Sequence, residues 1–267
     1  MLAYIEIIRP LNCFMAAMAV YIATIVAGAA FYPSTLVIYG MAAVFLICGA
    51  GMIINDYFDI EMDRINKPDR PLPSARIKKN AALVYSSLLF AIGIILAYTI
   101  NTYCFYLAIF ASLLLIVYPA VLKKMILVGH LSISFLVALS FVFGGFITMN
   151  YLPTLLLALL AFLANTGREI YKSVEDVLGV KTLGIKTLPM KFGVIKAKAI
   201  ASAFIILAIM LSFVPFLLGI FGYVYLLFVI IADIVFLIAI LLPTRFSSKA
   251  CKIAMIIALI AFLTGTL

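Results

Sequence analysis

Asn55, Asp59 and Asp63 stand four residues apart in the run Asn55-Asp56-Tyr57-Phe58-Asp59-Ile60-Glu61-Met62-Asp63-Arg64. On an α-helix each step of four drifts by only about 40°, so the three oxygen-bearing side chains form one stripe. Asp56 falls near the edge of that stripe, and Glu61 points elsewhere, as a solvated charge would. Like charges on one face repel, and near lipid they are costly. A hard divalent cation answers that repulsion. Mg2+ takes oxygen ligands while keeping most of its shell for waters and phosphates. A stripe of Asn and Asp therefore suggests a metal shared with a phosphorylated ligand. The bland alternative is an acidic helix end paired with Arg64, Lys67 and Arg70. The helix dipole weakens it, because acids are poorly placed in a C-terminal turn.

A second constellation runs from Asn165 through Arg168, Glu169, Tyr171, Lys172, Ser173 and Glu175 to Asp176 and Gly179. Asn165, Glu169, Ser173 and Asp176 fall within about 80° of one another on a helix. Lys172 flanks them and Glu175 points away. Such a face at a second helix end would complete a metal–phosphate site opposite the first; otherwise it is a solvated interfacial turn. Tyr118-Pro119 followed by Lys123-Lys124 ends a further apolar run, where lysines screen phosphate charge. Basic helix ends are also ordinary, so this signal is weak alone. His130, the only histidine, opens a helix and reads as structural. Asp233 lies deep in an apolar run, where an ionisable residue is a functional candidate, but no neighbour in sequence partners it.

These residues need elements to carry them, and the composition says which. The chain has 267 residues, 67% hydrophobic and 11% charged. Soluble domains are normally about a quarter charged, so lipid is the solvent for most of this chain. Apolar runs long enough to span fall near 10–30, 36–56, 81–100, 102–122, 126–148, 151–171, 198–219, 221–242 and 250–266. That predicts nine transmembrane helices, since no backbone group can go unpaired in lipid. Cys13, Cys48, Cys104 and Cys251 sit inside these runs with no metal-like spacing, as small buried hydrophobes. The first run lacks a basic leader and a small-residue cleavage site, and reads as a span.

The charges alternate between connections. Arg9 precedes the first run. Arg64, Lys67, Arg70, Arg76, Lys78 and Lys79 follow the second. Lys123 and Lys124 follow the fourth. Arg168, Lys172, Lys181, Lys186, Lys191, Lys196 and Lys198 surround the connection after the sixth, and Arg245, Lys249 and Lys252 lie between the eighth and ninth. The remaining connections hold no Lys or Arg. The positive-inside rule then places the N-terminus and the charged loops in the cytoplasm. A net charge of +9 distributed this way suits anionic head groups rather than nucleic acid. The acids gather on the same side, Asp233 excepted. Most of the charge lies in two connections, 56–80 and 172–197, which suggests two related halves within a single domain spanning 1–267. A transporter, the rival class, normally holds its ionisable groups near mid-membrane at broken helices.

The motifs resemble a known family. Asn55-x3-Asp59-x3-Asp63, then Arg64-x5-Arg70-Pro71-Leu72-Pro73, looks like the first signature of the UbiA superfamily of intramembrane prenyltransferases. Asp176-x2-Gly179-x4-Gly184-Ile185-Lys186-Thr187-Leu188-Pro189 looks like the second, and Tyr118-Pro119-x3-Lys123-Lys124 resembles the turn after the fourth helix. The resemblance covers nearly the whole chain and implies a UbiA-type helical bundle. Within the superfamily, Ile8-Arg9-Pro10-x-Asn12-Cys13 and Gly167-Arg168-Glu169-Ile170-x-Lys172-x2-Glu175-Asp176 look like archaeal members that make ether lipids. That implies transfer of a geranylgeranyl group from geranylgeranyl diphosphate to geranylgeranylglyceryl phosphate. Superfamily members acting on an aromatic ring or haem are the alternative.

The resemblance further implies that Asn55, Asp59, Asp63 and Asp176 hold Mg2+ against the diphosphate. Lys67, Arg70, Lys123, Lys172 and Lys186 would neutralise its oxygens, with Tyr118, Arg168 and Glu169 beside them. Arg9 and Asn12 would help bind a phosphate-bearing acceptor. The second signature usually has two aspartates four apart; here Val180 takes the partner position, and Ser173 stands where archaeal relatives often have Asp. Glu169, on the same face, is the candidate to compensate.

Overall fold

The computed structural model describes residues 2–177 and 187–266. Their secondary structure is entirely helical. A short α1 (Leu2–Ile7) leads into α2 (Pro10–Val26), α3 (Thr35–Phe58) and α4 (Ile60–Asn66). Turns then carry the chain to α5 (Lys79–Ile100), α6 (Thr102–Ala120), α7 (Val128–Ile147) and α8 (Thr154–Glu175). Beyond the second connection come α9 (Leu188–Phe192), α10 (Val194–Ser212), α11 (Val214–Leu217), α12 (Tyr223–Leu241) and α13 (Thr244–Gly265). Lys186 and Val180, singled out in the second signature, lie outside the described residues.

Among the described residues, seven helices are long and apolar enough to cross a membrane: α3, α5, α6, α7, α10 continued through α11, α12 and α13. Two of the nine expected spans fall outside that set for different reasons. Helix α2 has only 17 residues. Helix α8 has 22 residues but carries Arg168, Glu169, Lys172 and Glu175 in its last two turns. Outward faces are apolar throughout: Leu88, Ile95, Met210 and Leu227 are all exposed. Water would not tolerate that coat, and lipid requires it.

Three packed regions hold the bundle. Ile53, Ala50, Leu89 and Phe90 join α3 to α5. Ile170, Tyr171, Ala201, Ile205, Phe236 and Cys251 join α8 to α10, α12 and α13. Ile22, Phe141, Leu157, Tyr225 and Phe262 join α2 and α7 to α8, α12 and α13. Close approach depends on missing side chains. A Cβ on Gly144 would lie 2.5 Å from the Val20 carbonyl oxygen, and one on Gly167 would lie 2.8 Å from that of Ala201. Small residues let helix backbones meet in this way. The four cysteines are free; Cys13, Cys104 and Cys251 are buried as expected, whereas Cys48 is only half-buried.

Polar tethers close the end of the bundle away from the charged loops. Asn101 accepts from the Cys104 amide at 2.8 Å, capping α6, and its Nδ2 donates to the Phe146 carbonyl at 2.8 Å. Asn150 Nδ2 donates to the Ala27 carbonyl at 3.1 Å. Each bond satisfies a helix-end group that lipid cannot. At the charged end, Arg76 donates to both Glu6 oxygens, at 2.7 and 3.0 Å. That hydrogen bonding holds the Glu6 carboxyl below its ordinary value despite some desolvation.

Candidate active site

Helix α3 stops at Phe58 and α4 starts at Ile60, so the expected single stripe is interrupted at Asp59, whose φ and ψ are −90° and 3°. The helical spacing survives the interruption. The Asp59 amide still donates to the Asn55 carbonyl at 3.0 Å, and the Asp63 amide to the Asp59 carbonyl at 2.7 Å. Asn55 Nδ2 also donates to Asp59 Oδ2 at 2.8 Å. Asn55, Asp59 and Asp63 therefore reach the same polar cavity, of about 110 Å³.

Asp56 behaves differently from the edge residue expected. It is 2% exposed and sits between two guanidinium groups, forming an ion pair with Arg9 and one with Arg70 at 3.2 Å. Arg70 also grips Asp63 at 2.6 Å. Arg9 adopts a left-handed backbone with φ 53° immediately before Pro10. A non-glycine residue rarely accepts that conformation, which costs on the order of 1–3 kcal/mol. The ion pair with buried Asp56 fixes Arg9 there. Glu61 is exposed and pairs with Arg64, as a solvated charge does.

The second constellation divides between two cavities. Glu169, Ser173 and Asp176 reach the polar cavity, whereas Asn165 does not. Asn165 is buried, donates to Ser134 Oγ at 3.2 Å, and lines a larger cavity of about 440 Å³. Glu169 takes Arg168 at 2.5 Å and Lys172 at 3.2 Å. Its carboxylate is thus paired with cations of its own helix. Glu175 turns away, accepting from the Ser248 amide and hydroxyl at 3.2 and 2.8 Å.

The two constellations meet. Lys67, just after α4, lies 3.6 Å from Asp176 at the end of α8. Lys123, in the turn after α6, pairs with Asp59, while Lys124 is exposed. Tyr118 borders both cavities, and so do Arg9, Asn55, Arg70, Glu169 and Lys172. Asn12 and Arg168 border the larger one only. Beyond that shared rim the larger cavity is walled mostly by apolar side chains, among them Val44, Leu107, Phe143, Leu160, Val229 and Phe262, with Asn12, Asn165 and Arg168 among the polar exceptions. Its volume lies within the range of small-ligand sites.

Two residues at the site escaped the sequence reading, and a third was marked there without a partner. His130, read as purely structural, borders the polar cavity, with Nδ1 3.2 Å from the Ile126 carbonyl oxygen. Lys252 reaches the larger cavity from α13 and donates to Asn12 Oδ1 at 2.6 Å. Asp233, unpartnered in sequence, is 6% exposed and accepts from Ser212 Oγ at 2.7 Å on the apolar wall. Only the placement of Asp233 within a span marked it in advance; the other two gave no local signal.

Among the described residues, no three His, Cys, Asp or Glu side chains converge as a ready-made metal cage. Asp59, Asp63 and Asp176 nonetheless offer hard oxygen atoms to one cavity, each engaged by a lysine or arginine. Mg2+ typically uses one or two carboxylates and leaves its other positions to water and phosphate. The donor set fits that ion when a phosphorylated ligand shares it, and does not fit a metal held by protein alone.

Residues 14–264 match the profile of the UbiA prenyltransferase family. A digeranylgeranylglyceryl phosphate synthase of Methanopyrus kandleri is 39% identical over 273 residues, covering 100% of each chain. A solved structure, described as giving structural and mechanistic insights into digeranylgeranylglyceryl phosphate synthase in membranes, superposes with a TM-score of 0.79. It has 38% identity and covers 99% of this chain and 97% of the other. A UbiA homologue from Archaeoglobus fulgidus bound to GPP and Mg2+ superposes with a TM-score of 0.75 over 98% of this chain and 99% of its own. At 19% identity the last likeness is one of fold.

Proposed function

The chain belongs to the UbiA prenyltransferase family, and from that premise we propose that it moves a geranylgeranyl group from geranylgeranyl diphosphate to geranylgeranylglyceryl phosphate in archaeal ether-lipid synthesis. The observation that carries the reading is the approach of Lys67 to Asp176 at 3.6 Å. It closes a polar cavity that shares a wall with a large apolar one. A diphosphate attached to an isoprenoid needs that pairing of environments.

Asn55, Asp59, Asp63 and Asp176 would hold Mg2+ at the diphosphate. Bound there, the ion supplies positive charge against the departing oxygens. Lys67, Arg70, Lys123 and Lys172, with Lys186 from the second signature, neutralise the remaining charge. The bond between the prenyl C1 and the diphosphate oxygen breaks, and its electron pair leaves on the diphosphate. The acceptor hydroxyl forms the new C1–O bond and gives up its proton. Stabilising the leaving charge is the dominant electrostatic contribution. The apolar walls keep water from the cationic carbon. Arg9 on the rim and Asn12 in the larger cavity take part in binding the phosphate of the acceptor, beside Tyr118, Arg168 and Glu169.

Residues 1–267 form one transmembrane domain on this reading. Helices α2 and α8 join the seven longer apolar helices as spans, making nine. The N-terminus and both motif loops face the cytoplasm, because the basic residues alternate from connection to connection.

Mass spectrometry of products tests the activity. The purified protein receives geranylgeranyl diphosphate together with geranylgeranylglyceryl phosphate, an aromatic acceptor and haem. A predominant digeranylgeranylglyceryl phosphate product is expected. A prenylated ring or haem instead would transfer the activity to the alternative class of acceptor.

A further inference from the structure

The larger cavity has a face whose charges do not balance. Arg168 and Lys172 share a single acid, Glu169. Across from them Lys252, roughly two turns into α13, makes its one side-chain hydrogen bond among the described residues to a neutral oxygen, Asn12 Oδ1. No acid among the described residues lies within ion-pair distance of Lys252. Arg168, Arg9 and Lys172, all positive, line the same cavity as Lys252. Arg168 commits Nη1 to Glu169, while its Nε is buried with no hydrogen-bond partner. Arg9 already pairs with Asp56 through Nη2. The wall formed by α2, α8 and α13 thus gathers donors and surplus positive charge inside an apolar bundle.

Uncompensated cations in such a setting are expensive. An anion that fills the space between them removes the cost. The polar cavity differs in kind: its carboxylates at Asp59, Asp63 and Asp176 suit a ligand that arrives with a metal. The Lys252 face presents one carboxylate, Glu169, already paired with Arg168 and Lys172, while Asp233 lines the same cavity from α12 and is bonded to Ser212 Oγ. It is built for an anion bound directly, by ammonium, guanidinium and amide groups.

We propose that Lys252, together with Arg168 and Asn12, forms a metal-independent site for the phosphate monoester of the acceptor lipid, separate from the diphosphate site. The inference rests on the catalytic reading above and deepens it. Lys252 becomes a residue that selects phosphorylated acceptors over neutral ones.

The test is binding without metal. The full-length protein in detergent with EDTA is titrated with geranylgeranylglyceryl phosphate and, separately, with dephosphorylated geranylgeranylglycerol. A charge-assisted hydrogen bond contributes about 1.5–3 kcal/mol, so Lys252→Met should weaken the phosphorylated lipid by about tenfold or more. The neutral lipid should be little affected, and Lys252→Arg should restore most of the lost affinity. In turnover, the KM for the phosphorylated acceptor should rise far more than kcat falls. Unchanged binding of the phosphorylated lipid to Lys252→Met, or equal loss of both lipids, overturns the site. The two readings fail separately. Lys252-dependent phosphate binding by a protein that prenylates some other acceptor would leave the site standing and remove the proposed reaction. Normal KM for the phosphorylated acceptor in Lys252→Met would do the opposite.

Discussion

Lys67 Nζ lies 3.6 Å from Asp176 Oδ1, so the segment after α4 and the end of α8 close on each other across the bundle. Both partners are about one-third exposed, and such a pair adds little to stability, on the order of 0–1 kcal/mol. Its significance is geometric. It brings the acids of one sequence motif to the cavity lined by the acids of the other.

Asp176→Ala separates those two roles. Turnover should fall by about 10²-fold or more, the scale of losing one preorganised charge contact in a leaving-group site. The unfolding midpoint in detergent should stay close to that of the parent. A mutant with nearly full turnover would remove Asp176 from the machinery.

Asp59→Ala and Asp63→Ala should each abolish measurable prenyl transfer while the protein still elutes as a folded species. Asp59 is held by Asn55 and Lys123, and Asp63 by Arg70. Near-normal product formation in either variant counts against the metal–diphosphate assignment.

Metal removal should act at the same place. EDTA should stop product formation, and excess Mg2+ should restore it. Turnover that persists after exhaustive chelation would leave the carboxylates without their proposed purpose.

Asp56→Ala should injure the fold more than its neighbours do. Removing a 2% exposed carboxylate strands Arg9, whose strained backbone it stabilises, and half-frees Arg70. Breaking a buried pair in this way costs about 3–5 kcal/mol. Thermal unfolding in detergent should show a clear fall in midpoint, larger than for Asp59→Ala; equal midpoints would refute the structural role.

Gly144→Ala tests the contact of α7 with α2. The added Cβ would meet the Val20 oxygen at 2.5 Å and the Ala23 Cβ at 2.6 Å. Neither can swing aside, so a loss of about 1–3 kcal/mol is expected. Gly51→Ala meets the flexible end of Leu115 at 2.6 Å and should be milder. Reversal of that order in melting experiments would contradict the packing.

The sequence made the helical class and both motif ends readable because those signals are local. Apolar runs report lipid, and a spacing of four reports a shared helix face. Even the interruption at Asp59 left that spacing useful, since the amides of Asp59 and Asp63 keep their bonds four residues back. What stayed hidden depends on distant partners. Asp56 looked marginal until Arg9 and Arg70 flanked it. Nothing near Lys252 in sequence points to Asn12, and nothing near Asp233 points to Ser212. Length and polarity leave two of the expected spans outside the plainly apolar set. Helix α8 carries the site charges that set it apart from a plain apolar helix, and α2 starts at Pro10 as expected but ends at Val26, just before Gly28 with its φ of 101°.

The shared rim between the two cavities has a further consequence. A long-tailed amphiphile can lodge here in one orientation only, head among the lysines and tail between the helices. Lipids of the adjoining leaflet already lie that way round. Reactants and products can then keep that orientation without somersaulting through the bilayer.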